Sequence, residues 1–238
     1  MCCLFGFIDY AGALSVTQKS RLIRELSIAA EVRGTDATGI AYSTSRGLQI
    51  YKRPLAAHRL HLRIPAEAHV VMGHTRMTTQ GSAKKNYNNH PFFSCVKGKT
   101  FALAHNGVIW NDLELRRTKH LPKTKIQTDS YVAVQLLQQQ KALDFDSLAK
   151  MAEQVEGSFS FSVLSEQDDL WLVKGDNPLT IVHFPAVGVY VYASTAEILN
   201  KALARCGNWL GREERVDIAM GDIVRIDGNG RITRGAFD

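Results

Sequence analysis

No apolar run in this chain of 238 residues approaches the ~18 residues that span a bilayer. No basic segment precedes the short apolar stretch Cys2 to Ile8, so neither a membrane span nor a secretory leader is expected. The expected protein is cytoplasmic, with no membrane partner. Cysteine is scarce. Cys2, Cys3, Cys95 and Cys206 form no C-x-x-C pair, which removes the usual metal and redox motifs and leaves four thiols expected to be reduced. Neither metal nor cofactor is expected. Repeats, low-complexity tracts and a linker are also missing. With 45% hydrophobic residues the chain can bury a substantial core, and residues 1–238 are read as one domain. The formal charge of +6 is not gathered into a dense basic tract, so a nucleic-acid partner is not expected. One local cluster, Arg116, Arg117, Lys119, Lys123 and Lys125, reads as a solvated face or as a docking or phosphate-attracting surface.

What is present has order. CCLFGFID at the start reads as a buried strand. Ser15 and Gln18 have capping-box spacing, and Leu22, Ile23, Leu26, Ala29 and Ala30 recur at helical intervals up to Gly34. ATGIAYS, GLQIYKR and AHVVMGHTR read as strands, residues 77 to 94 as a long loop, and TFALAHNG as a strand ending in a turn. Helices are predicted over about 129–140, 146–155 and 195–205, with strands near 158–164, 169–174, 180–184 and 188–193, and a final hairpin turned by DGNG. Strands and helices occur in clusters without βαβ alternation, which points to a layered α+β fold.

Several polar groups stand at the ends of buried strands. If Met1 is removed, Cys2 carries both a thiol and a free α-amine, a nucleophile and a base in one residue. A cysteine there also reads as a buried structural thiol. Arg76 in GHTRMTTQG suits bidentate capture of a carboxylate, or a structural ion pair. His74 reads as a hydrogen-bonded core histidine. In AHNG, the Asn106 carboxamide and the Gly107 N–H could converge on one oxyanion, although His-Asn-Gly is also a plain turn. Asp129 could serve a ligand or the first turn of a helix. RGTDATG lacks the G-x-x-x-x-G-K-[ST] pattern and does not follow a strand, so a phosphate loop is rejected.

Taken in order, the N-terminal Met-Cys strand, RGTDATG, GHTRMTTQG with NNHPF behind it, AHNGVIWN and TDS resemble the class II, N-terminal nucleophile (Ntn) glutamine amidotransferase family. They are similar to the glutaminase halves of glucosamine-6-phosphate synthase and glutamine phosphoribosylpyrophosphate amidotransferase. The resemblance implies a four-layer αββα sandwich and L-glutamine as substrate. It implies Cys2 as nucleophile, Asn106 and Gly107 as oxyanion hole, Arg76 on the α-carboxylate and Asp129 on the α-ammonium. Thr79 and Gly107 would line the pocket, with Arg33, Asp36, His74 and His90 supporting. The implied reaction is thiolate attack on the side-chain amide, loss of ammonia, and hydrolysis of the thioester to glutamate. The chain departs from the family at Cys3 (usually glycine), Met77 (usually aromatic) and Gln80 (histidine in the sugar-phosphate enzyme). No second domain is expected after Asp238, so the acceptor half is expected on a separate synthetase subunit or to be absent, and homo-oligomerisation is left open. The competing readings are a weakly catalytic glutamine-binding regulatory module and an amidohydrolase acting on another γ-glutamyl or amide compound.

Overall fold

Ser15 starts the first helix as its spacing predicts. In the computed structural model, which describes residues 2–238, its Oγ accepts from the Gln18 N–H at 3.2 Å while Gln18 Oε1 accepts from the Ser15 N–H at 2.9 Å. Two of the orphan N–H groups at the helix start are thereby satisfied. The chain then runs β1 (Cys3–Asp9), α1 (Val16–Ala29), β2 (Ala37–Thr44), β3 (Gly47–Arg53), β4 (Val70–Arg76), β5 (Phe92–Val96) and β6 (Lys99–Ile109). It continues through α2 (Asp112–Thr118), α3 (Tyr131–Gln140), α4 (Phe145–Ala152), β7 (Gly157–Ser165), β8 (Leu170–Lys174), β9 (Thr180–Phe184) and β10 (Val189–Ala193). The last elements are α5 (Ala196–Cys206), β11 (Glu214–Val216), β12 (Asp222–Ile226) and β13 (Ile232–Ala236).

The strands form two antiparallel sheets, ordered β11-β9-β10-β1-β4-β2-β3 and β13-β12-β8-β7-β6-β5. Three apolar layers hold them. Phe5, Phe7 and Val191 pack against α1 and α5. Leu4, Ile8, Met72, Ala102, Ala104 and Tyr192 fill the space between the sheets. Phe101, Leu103 and Phe161 pack against α3 and α4. This is the expected αββα sandwich.

Three elements escaped the sequence reading. β5 takes over the last residues of the expected loop of residues 77 to 94 and runs on to Val96. It is a short edge strand whose buried positions alternate, Phe92, Ser94 and Val96, and pairing with β6 is what makes it a strand. α2 is charged and offers the core only Leu115 and part of Asp112, too little for a periodic signal. β11 has three residues and exists because β9 pairs with it. The strand through AHNG also does not turn there. β6 runs on to Ile109 because β7 continues to pair with it, Gly107 lying opposite Phe159.

At the far end of β1 a buried ion pair ties the sheet to α1. Lys19 Nζ lies 3.3 Å from Asp9 Oδ2 and donates to the Ala66 and Ala68 carbonyls. Asp9 also accepts from the Ala13 and Leu14 N–H groups. Both side chains are almost wholly out of water. Lys19→Met leaves a buried carboxylate without its cation, so a loss of about 3–5 kcal/mol in urea unfolding is expected. A loss below about 1 kcal/mol would mean that the backbone donors alone hold Asp9.

Candidate active site

Pleat alternation decides which side chains meet. In β1, β4, β6 and β10 the inter-sheet layer receives Leu4, Met72, Ala104 and Tyr192. Two residues along from Leu4, four along from Met72 and two along from Ala104 and Tyr192 stand Cys2, Arg76, Asn106 and Ser194, on the same faces. The β1–β4 register, with Cys3 opposite Thr75, brings Cys2 beside Arg76. Four strand ends therefore aim a thiol, a guanidinium, a carboxamide and a hydroxyl into one end of the sandwich.

Cys2 is 9% exposed and its thiol donates to the Met77 carbonyl at 3.6 Å. Burial raises its pKa, with the nearby Arg76 guanidinium lowering it and the Asp129 carboxylate raising it. Such a thiol needs a base to become nucleophilic. Met1, and with it the state of the Cys2 α-amine, lies outside the described residues. Arg33 joins Cys2 to Asn106: its Nε donates to the Cys2 carbonyl at 2.8 Å and its Nη2 to Asn106 Oδ1 at 3.4 Å. With that oxygen facing a cation, the NH₂ end of Asn106 is the end left to donate, here to Ser194 Oγ at 3.4 Å.

Gly107 has φ +147°, and a Cβ there would stand 1.8 Å from the Ser158 carbonyl, so no other residue fits this backbone. Asn177 Nδ2 donates to the Asn106 carbonyl at 2.8 Å, and Ser160 Oγ holds the Asn177 carbonyl. Ser194 Oγ in turn accepts from the Leu4 N–H at 2.8 Å. These supports were not found from sequence. Ser194 and Asn177 lie outside the motifs that point to the site.

Arg76 is 3% exposed, and no salt-bridge partner stands against it among the described residues, which disposes of the structural ion pair. Instead Nη1 donates to Asn89 Oδ1 and Nη2 to the Gln80 carbonyl, both at 2.6 Å. Asp36 fastens the segment between them, its N–H donating to the Arg76 carbonyl at 3.0 Å and its Oδ2 accepting from the Thr78 N–H at 2.7 Å. Gly34 lets that backbone come close, since a Cβ would meet the Arg76 carbonyl carbon at 2.3 Å. RGTDATG thus buttresses the strand that carries Arg76. Thr79, expected in the pocket, is exposed in the bend after it, and Met77 is 46% exposed.

Asp129, 5% exposed, caps nothing. α3 begins at Tyr131, and Asp129 Oδ2 accepts from the Ile109 N–H at 2.7 Å, which sets the carboxylate beside the end of β6. The histidines form a separate stack. His74 and His90 ring centroids are 4.2 Å apart. His74 Nε2–H donates to the His105 carbonyl at 3.0 Å, which fixes its tautomer. Burial pushes His74 down to about 3 and lowers His90 and His105 as well. All three are neutral, but His105 points to the opposite face of β6, stacked on Phe161 with Nδ1 2.8 Å from Ser130 Oγ, and neither ring nitrogen of His90 has a partner among the described residues.

A family model for a glutamine amidotransferase domain matches residues 74–201, more than half of the chain, and the chain belongs to that family. Its two antiparallel sheets match the fold of Ntn-type glutaminase domains. Glutamine–fructose-6-phosphate aminotransferase (isomerizing) from Sulfurisphaera tokodaii is 30% identical over 194 residues, covering 76% of this chain and 31% of that protein. The protein of the same name from Bacillus anthracis is 31% identical over 190 residues, with coverage of 76% and 30%. The chain thus spans about a third of the length of the curated relatives it matches. Among solved structures, glutamine phosphoribosylpyrophosphate amidotransferase from B. subtilis, complexed with ADP and GMP, superposes with TM-score 0.75 at 17% identity, over 100% of this chain and 49% of that one. A predicted glutamine amidotransferase from Pseudomonas aeruginosa PA01 gives TM-score 0.54 at 16% identity, with coverage of 97% and 94%. These likenesses show the fold. In the described part of this chain no helix is long and apolar enough to cross a membrane.

Proposed function

We propose that residues 2–238 act as a single glutaminase domain that hydrolyses the side-chain amide of L-glutamine to glutamate and ammonia. The observation that carries this reading is the convergence of Cys2, Asn106 and Arg76, with Asp129, at one end of the inter-sheet layer. After removal of Met1, the α-amine of Cys2 takes the thiol proton. Sγ then bonds to the amide carbon, and Asn106 Nδ2 and the Gly107 N–H stabilise the oxyanion. The carbon–nitrogen bond breaks as that proton passes to the leaving ammonia. Water then adds to the thioester, the sulfur–carbon bond breaks, and glutamate leaves. Arg76 holds the α-carboxylate and Asp129 the α-ammonium. Because Arg76 Nη2 is engaged by the Gln80 carbonyl, glutamine entry displaces the segment from Met77 to Gly81, and Thr79 closes over the substrate afterwards. Arg33, Asp36, His74 and His90 hold the surrounding backbone. The relatives named aminotransferases suggest where the nitrogen goes: we read this chain as supplying ammonia to a separate acceptor subunit.

Trapping tests the central step. Incubation with 6-diazo-5-oxo-L-norleucine is expected to add one adduct, on Cys2, to protein whose intact mass lacks methionine. Cys3 should stay unlabelled, because it is fully buried and burial pushes its thiol up to about 11. An adduct on another residue, or none on Met1-free protein, would sink the nucleophile assignment. The prior engagement of both Arg76 terminal nitrogens favours one alternative, a glutamine-binding module without turnover. Calorimetric glutamine binding with no glutamate released would select it.

A further inference from the structure

A cavity of about 650 Å³ opens between α2 and the segment 121–127, a size suited to a small-molecule ligand. Gln80, at the tip of the loop beside Arg76, forms one wall. Three cations line it, Arg116, Arg117 and Lys123, against one carboxylate, Asp112. Asp112 is already matched by Arg116, whose Nε lies 3.8 Å away. Arg116 is further anchored by donating Nη1 to Gln135 Oε1 and Nη2 to the Thr128 carbonyl, each at 3.2 Å. Arg117 and Lys123 have no ion-pair or hydrogen-bond partner for their charges among the described residues. The cavity therefore presents two uncompensated positive charges beside a fixed guanidinium. Thr124 and Gln127 add hydrogen-bonding groups, while Leu121 and Ile126 give it an apolar floor.

We propose that this cavity binds a phosphate monoester of a small organic molecule, with the phosphate on Arg117 and Lys123 and the organic part over Leu121 and Ile126. A phosphate monoester carries about two negative charges at neutral pH, which matches the uncompensated charge, whereas a carboxylate would neutralise half of it. The apolar floor makes an organic ester a better fit than the free ion. The site stands whether or not Cys2 turns glutamine over. Its position beside Gln80 puts the ligand next to the loop that closes the proposed glutamine pocket, where a phosphorylated ammonia acceptor or a nucleotide effector could each lie.

Titration calorimetry of the full chain at low ionic strength tests this. Glucose 6-phosphate and adenosine 5′-monophosphate are expected to bind, inorganic phosphate more weakly, and glucose and adenosine not at all. Tighter binding of the sugar phosphate supports the site as one for an acceptor, and tighter binding of the nucleotide as one for an effector. The double variant Arg117→Gln/Lys123→Gln should weaken the tighter ligand by about tenfold or more. Its thermal midpoint should not change, because both side chains lie in solvent. No binding by either phosphorylated compound, or equal binding by the folded double variant, overturns the proposal.

Discussion

Cys2→Ala is expected to lower glutamate release from glutamine by about 10⁴-fold or more, the scale seen when a covalent nucleophile is removed. The effect is large because the sulfur would be the only atom that bonds to substrate, so its loss forces direct attack by water. Glutamine binding should persist, since Arg76 and Asp129 would hold the amino-acid end and neither contacts Sγ by hydrogen bond. The fold should persist too, because Leu4 and the rest of β1 keep both neighbours, β4 and β10. A variant that binds glutamine at near wild-type affinity but releases none separates chemistry from binding. If Cys2→Ala keeps more than about a tenth of the activity, the thioester route is wrong. Protein that retains Met1 should behave like this variant, because the nitrogen of a peptide bond cannot take a proton from the thiol.

Acid should unfold this protein unusually early. His74 is held neutral down to about pH 3 by burial, helped by the Arg76 and Lys52 charges nearby, against an ordinary value of 6.5. A lowered histidine pKa means that the native state resists protonation while the unfolded chain accepts it. Stability is therefore intact above about pH 6.5 and is lost as pH falls from there toward 3. Each unit in that window costs about 1.4 kcal/mol per histidine, so His74 alone removes about 2–3 kcal/mol by pH 4.5. His90 and His105, lowered by the same burial, act in the same direction. The urea midpoint should thus fall steeply between pH 7 and pH 5, and His90→Phe, which keeps a ring against His74 and Phe92, should flatten the slope. An unchanged midpoint over that interval would show that the trio takes up protons without opening the sandwich.

The residues proposed to carry chemistry were legible because they stand in ordered motifs, most of them at strand ends. Arg76 at the end of β4 and Asn106 near the end of β6 stood out as polar groups on buried strands, and the ordered motifs around them, not polarity alone, suggested their roles. Their partners did not stand out. Arg33 reaches Asn106 across 73 residues and Leu4 reaches Ser194 across 190, and nothing local in the chain encodes such a distance. Asp129 shows the limit most directly. As a helix-start residue it reads as a cap, and its bond to the Ile109 N–H appears only when α3 packs behind β6.

The amino-acid order by itself determined the capping box at Ser15, the alternation that splits each strand into two faces, and the glycines at positions 34 and 107 that allow the backbone to pass close to its neighbours. Tertiary structure alone decided that β5 and β11 are strands, that Asp36 fastens the Arg76 segment, and that Arg117 and Lys123 face one cavity. Local sequence controls torsions and periodicity within a few residues. Which strand pairs with which, and which charge finds a partner, depends on contacts between segments that meet only after the sheets have stacked.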